Sequence, residues 1–199
     1  AARKKVHKPG PNQDDLAEFS ALLAKAKRPV AIVGPGVWYS RSEKVVADFC
    51  AANNIPIFQP VTHVKSIQPG HSANMGIVDY HQNPCSRIIG AESDLVILLG
   101  AQLDFPLGFG EAPLFGADQT IVAVHPTPRE LANVMNADYR FCSHVGVLFE
   151  MLTALKAKVG ADADWIAKIR KLRQEGNTQF DAVVANNEGP IHPLRLCLD

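Results

Sequence analysis

The 199 residues carry 20 Lys and Arg against 20 Asp and Glu, a formal net charge of zero, with 47% apolar and 20% charged side chains. That balance excludes a nucleic-acid or anionic-membrane partner held by net charge, and the length suits one α/β domain with a substantial core. No apolar run approaches the roughly 18 residues of a membrane span, and Cys50, Cys85, Cys142 and Cys197 lie far apart with no C-x-x-C pair, which predicts free thiols in a reducing, cytoplasmic setting.

Residues 1–11 contain Arg3, Lys4, Lys5, Lys8, Pro9, Gly10 and Pro11, the composition of an exposed linker arriving from a preceding domain. Asn12 is placed to cap a helix whose apolar positions are Leu16, Phe19, Leu22, Leu23 and Ala26, with Asp14 and Asp15 in its positive first turn. Val30 to Val33 then run without polar alternation, as in a strand buried on both faces of a parallel sheet. Gly34-Pro35-Gly36 stops that run, with Gly36 expected at positive φ. Open α/β sheets bind nucleotides or coenzymes at the carboxyl edge of such strands, so this turn is the candidate binding edge.

Ser42 is placed to cap a helix with Val45, Val46, Phe49 and Cys50 on its apolar side, and Asn53-Asn54 ends it before a short strand at Ile55 to Phe58. From Gln59 to Asn83 periodicity is lost, Pro60, Pro69, Gly70 and Gly76 intervene, and His63, His71 and His81 gather, which predicts a long ordered loop at the binding edge. A helix near Pro84 to Ala91 leads to a second apolar strand after Asp94, ending at Gly100, and to a glycine-rich loop reaching Gly116. Ile121 to Val124 forms a third such strand, ending at His125-Pro126, and Pro128 begins a helical turn. A short strand at Tyr139 to Ser143 precedes a helix over Gly146 to Val159 with Leu148, Met151, Leu152, Leu155 and Val159 on one face.

Asp164 to Gln174 reads as a helix with Trp165, Ile166, Ile169 and Leu172 inward and Lys168, Arg170, Lys171 and Arg173 on a solvated face. Phe180, Val183 and Val184 continue it weakly, and the chain stops inside a fresh apolar pattern of Leu194, Leu196 and Leu198, as a piece of a longer protein would. The division is a linker over 1–11, a central α/β domain over 12–160 and a helical connector over 161–199.

Gly34 and Gly36 fit the start of G-x-G-x-x-G, but Tyr39 replaces the third glycine and no acid ends the second strand, so an NAD site is not supported. A tight turn after a buried strand explains the same glycines. The histidines lack H-x-x-x-H, H-E-x-x-H or a cysteine partner, so no metal site is expected. Neither G-x-S-x-G nor G-x-x-x-x-G-K-[ST] is present, and no catalytic residue can be named.

In order and spacing, Lys27 to Gly36, Pro60-Val-Thr62 to Asn74-Met-Gly76, Ser93 to Ala101 and Ile121 to Glu130 resemble the central domain of thiamine-diphosphate-dependent enzymes, a group that includes acetolactate synthase, benzaldehyde lyase, oxalyl-CoA decarboxylase and 2-hydroxyacyl-CoA lyase. Residues 189–195 resemble the start of the following pyrophosphate-binding domain. The resemblance implies a three-layer α/β/α Rossmann-like domain with a six-stranded parallel sheet in the order 3-2-1-4-5-6. It implies flanking pyrimidine- and pyrophosphate-binding domains of the same chain, a homo-oligomer, and a lyase, decarboxylase or carboligase acting on 2-keto acids or acyl-CoA substrates. Thiamine diphosphate and Mg2+ would belong to the intact enzyme, because the family's glutamate and Gly-Asp-Gly motif are not in this sequence. Relatives that hold FAD or ADP in this domain do so at positions matching Gly34, Pro35, Gly36, Thr62, Gly76, Gly100, Ala101, Gln102 and His125. Gln102 stands where arginine is usual and His125 where an acid commonly ends the fifth strand, so a vacant or altered nucleotide site is implied. The alternatives are a stand-alone nucleotide- or FAD-binding module on the same fold and an interaction domain with no ligand.

Overall fold

Six strands pair in parallel in the order β3-β2-β1-β4-β5-β6 in a computed structural model that describes residues 7–185 and Arg195. They are β1 Pro29–Val33, β2 Ile57–Pro60, β3 Asn74–Val78, β4 Leu95–Leu99, β5 Thr120–His125 and β6 Tyr139–Cys142. Residues 1–6 of the expected linker, Cys197 and the domain junction at 189–194 lie outside the described residues.

β1 and β4 form the centre, paired from Pro29↔Leu95 to Val33↔Leu99, and all ten of their residues are buried. With no polar alternation, each face must be covered, and parallel crossovers cover it with helices. The helices are α1 Gln13–Lys25, α2 Pro35–Tyr39, α3 Glu43–Ala52, α4 Arg87–Glu92, α5 Pro128–Ala132, α6 Val145–Ala154 and α7 Trp165–Ala185. Asn12 caps α1 by accepting the Asp15 amide at 2.7 Å, and α1 buries Leu16, Phe19 and Leu23, with Phe19 edge-on to Phe141 at 5.3 Å. α3 meets α6 through Phe49 and Phe149, 5.2 Å apart and also edge-on. Each such ring contributes about 1.5 to 3 kcal/mol by leaving water. The chain moves from β1 outward through β2 to β3, then crosses back to β4, so the crossovers diverge between β1 and β4.

The stretch expected as one long loop, 59–83, contains β3, the outer strand of the sheet. Its pairing with β2 slips between Ile57↔Asn74 and Gln59↔Ile77, so β3 carries one residue more than its neighbour. This β-bulge is closed by Gly76 at φ +94°, whose amide donates to Asn74 Oδ1 at 2.8 Å. The outer flank of β3 is occupied by side chains. Asn83 Nδ2 donates to the Met75 and Ile77 carbonyls at 3.2 and 2.6 Å, and the Arg173 guanidinium donates to the Asn74 carbonyl.

One helical expectation is corrected. α6 stops at Ala154, so Leu155, expected on its buried face, is 63% exposed, and Lys156 turns the chain at φ +51°. α7 begins with Trp165, Ile166 and Ile169 buried, and Trp165 Nε1 donates to the Pro29 carbonyl at 2.9 Å. Its basic side is exposed at Lys168, Arg170 and Lys171, as expected, and also makes contacts with the rest of the domain. Arg170 donates to the Ser72 carbonyl at 3.0 Å, Arg173 reaches β3, and Lys168 pairs with Glu92 at 2.5 Å.

Candidate functional site

β1 delivers Gly34 to the carboxyl edge and β4 delivers Gly100 beside it. A Cβ on Gly34 would lie 2.4 Å from the Gly100 carbonyl oxygen, and one on Gly36 would lie 2.7 Å from the Gly100 Cα. Glycine is therefore required here because two stretches of backbone touch. Gly100 has the left-handed backbone, φ +59°, whereas Gly36, expected in that region, is the second residue of α2 and is helical. Pro35 opens α2, where its missing N–H leaves no donor unsatisfied.

The amides of this turn are already committed. Gly34 N–H donates to the Leu99 carbonyl at 3.0 Å, Gly36 N–H to the Gly100 carbonyl at 3.1 Å, and Gly100 N–H to the Val124 carbonyl at 3.0 Å. A phosphate cradle works by presenting free amides to the anion. Gln102 Nε2 donates to Glu130 Oε2 at 2.5 Å, which brings a carboxylate to the same edge. His125 is buried with Nε2 2.9 Å from the Ala101 carbonyl; a carbonyl only accepts, so Nε2 carries the proton and donates.

The structure thus unites Gly34, Pro35, Gly36, Gly100 and Ala101, with His125 bonded to Ala101 and Gln102 to Glu130. Thr62 lies in the exposed turn after β2, its Oγ1 3.0 Å from His63 Nδ1, and borders a hollow together with Trp38 and Tyr39 of α2, whereas Gly76 belongs to the bulge in β3. For the FAD or ADP that the resemblance associates with these positions, the Gly34, Gly36 and Gly100 amides are not free as donors, and Glu130 brings a carboxylate to the edge where a diphosphate would call for positive charge. Glu130 was not apparent as part of the site in the sequence, where it stands only as an acid opening a helix.

Among the described residues no three His, Cys, Asp or Glu side chains are grouped to hold a metal ion, and no helix is long and apolar enough to cross a membrane. Cys50, Cys85 and Cys142 are free thiols. Burial raises the Cys50 pKa far above its usual range and pushes Cys85 up to about 11, so neither supplies a thiolate at neutral pH.

Residues 16–155 match the family described as thiamine pyrophosphate enzyme, central domain, and the chain belongs to that family. It is 27% identical over 203 residues to the acetolactate synthase large subunit of Mycobacterium tuberculosis, covering 94% of this chain and 32% of that protein. It is 22% identical over 211 residues to the 2-hydroxyacyl-CoA lyase of Arabidopsis thaliana, covering 100% of this chain and 34% of that one. The same fold is seen in benzoylformate decarboxylase from Polynucleobacter necessarius, with TM-score 0.63, 19% identity and coverage of 82% of this chain and 30% of that one. The chain spans about a third of the length of these relatives.

Proposed function

We propose that this chain is the scaffold domain of a longer thiamine-diphosphate-dependent lyase, decarboxylase or carboligase acting on 2-keto acids or acyl-CoA substrates. The observation that carries the reading is a family match over residues 16–155 in a chain about a third as long as its relatives. Thiamine diphosphate and Mg2+ would be held by flanking pyrimidine- and pyrophosphate-binding domains of the same polypeptide. No catalytic residue is assigned to this chain. Its part is positional: a rigid sheet whose carboxyl edge faces the rest of the enzyme and holds no nucleotide of its own.

The competing reading, a stand-alone nucleotide or FAD module, is disfavoured by the committed amides of Gly34, Gly36 and Gly100. The test is the native gene product. Its intact mass is expected at roughly three times 21.6 kDa, as three domains of this size require. The purified protein is expected to turn over a 2-keto acid or 2-hydroxyacyl-CoA only with thiamine diphosphate and Mg2+ present. A 21.6 kDa product, or turnover indifferent to thiamine diphosphate, would overturn the proposal.

A further inference from the structure

α3 and α6 run side by side in the same direction. Phe49 meets Phe149 midway, and a Cβ on Gly146, at the start of α6, would lie 2.6 Å from the Oγ of Ser42, just before α3. Between the two helices lies a groove of about 700 Å3, a volume in the range of small-ligand sites. Val45, Phe49, Leu152 and Ala157, all packed on the core, give it an apolar lining. Arg41 precedes α3 and Lys156 follows α6, so the parallel helices place one cation at each end. Among the described residues neither side chain has a hydrogen bond or an ion pair, whereas Lys44 on the rim is paired with Asp48 at 2.5 Å. Both end cations have the left-handed backbone, Arg41 at φ +56° and Lys156 at φ +51°, each just past the end of a helix. Glycine takes that position without strain, so a conformational cost is retained twice, at the two ends of one groove. Such costs cluster at ligand sites.

We propose that the α3–α6 groove binds a linear dicarboxylate, its apolar chain lying over Val45, Phe49, Leu152 and Ala157 and its carboxylates meeting Arg41 at one end and Lys156 at the other. The order of charges along the groove selects this class. An uncharged apolar molecule would leave both cations without a partner, and a monocarboxylate would leave one. Asp48 and Glu150 border the groove midway along α3 and α6, where they repel an anionic group but not a hydrocarbon chain. A molecule charged at both ends and apolar between them answers all of these features. α3 is 10 residues long, about 15 Å. With carbon–carbon bonds of about 1.5 Å, an extended acid of about ten carbons spans most of that length, and the flexible Arg41 and Lys156 side chains reach its ends. The site lies between helices that cover the sheet and does not depend on the reading given under Proposed function.

The experiment is calorimetric titration of the full-length native gene product with decanedioate, and with decanoate as the acid lacking one carboxylate. Decanedioate is expected to bind once per chain, and decanoate about tenfold more weakly, because one charge-assisted contact is missing. Arg41→Gln and Lys156→Gln keep a polar side chain without its charge, and each should weaken decanedioate about tenfold. Arg41→Gly and Lys156→Gly should lose the same affinity with no loss of melting temperature, since they also remove the left-handed strain. That combination separates a ligand role from a structural one. No heat above dilution with the wild type, decanoate binding as tightly as decanedioate, or full affinity in either glutamine variant would each overturn the inference. None of these outcomes bears on turnover with thiamine diphosphate, so the functional reading stands or falls by its own test.

Discussion

A Cβ placed on Gly100 would sit 2.6 Å from the Cα of Gly36, and one placed on Gly36 would sit 2.7 Å from the Cα of Gly100. The two central strands are therefore joined at their carboxyl ends by backbone against backbone, reinforced by the Gly36 N–H bond to the Gly100 carbonyl at 3.1 Å. Substitution at either position must push the strands apart or bend one of them.

That contact separates two costs that usually travel together. Gly100 and Gly108 have nearly the same left-handed backbone, φ +59° and +56°, but a Cβ on Gly108 meets nothing within 4 Å. Gly108→Ala should lower the unfolding free energy by about 1 kcal/mol, the cost of the backbone conformation alone. Gly100→Ala should cost about 2 to 4 kcal/mol, because overpacking adds to that cost. Urea unfolding of the two variants side by side measures the difference, and equal losses would show that the strand contact is looser than described.

Gln102→Arg tests the nucleotide question from the other side. An arginine here would face Glu130, the present partner of Gln102, and would be drawn into an ion pair with that carboxylate. The Gly34, Gly36 and Gly100 amides would remain committed. ADP titrated calorimetrically should give no heat above dilution with either the wild type or the variant. Tight ADP binding by the wild type would sink the vacant-edge reading outright.

Lys156 ends α6 in the left-handed region at φ +51°, with its amide donating to the Thr153 carbonyl at 3.0 Å and the next amide, Ala157, donating to Leu152 at 2.9 Å. This is a helix-terminating geometry that glycine adopts without strain. Lys156→Gly should therefore raise stability by about 0.5 to 1 kcal/mol. A loss in the melting experiment would mean that the lysine side chain contributes more than its backbone costs.

His144 is buried where α6 begins, and its Nδ1 has no hydrogen-bond partner. Burial lowers its pKa below the usual 6.5, helped by the charge of Lys8 and opposed by Glu150. The folded protein thus resists protonating a ring that the unfolded chain protonates readily. Stability from this group is complete above pH 6.5 and declines as pH falls from there toward the lower folded value. The pH dependence of the melting temperature between 7.5 and 5.5 should be shallower in His144→Gln, and an unchanged profile would exclude His144 as its source.

The central strands were legible because Val30 to Val33 and the run after Asp94 leave no polar face to present to water. β3 was not. Asn74 opens it and Gly76 interrupts it, and what makes it a strand is tertiary: pairing with β2 and side chains from Asn83 and Arg173 on its outer flank. The end of α6 was misplaced because Leu155 and Val159 keep the apolar spacing after the helix has stopped at Ala154. At the site, the positions of the glycines could be read but not their purpose. A glycine retained so that a ligand can approach and one retained so that another backbone can approach leave the same mark in a single sequence.

The outer flank of β3 has a consequence for how the molecule behaves in a crowd. The rim of a parallel sheet is a template, and an unguarded one recruits strands from neighbouring chains. Here the Asn83 amide holds the Met75 and Ile77 carbonyls, Arg173 holds that of Asn74, and the bulge at Gly76 breaks the regular spacing that an incoming strand would have to match. The sheet is finished at this rim, and growth from it would require α7 to come away first.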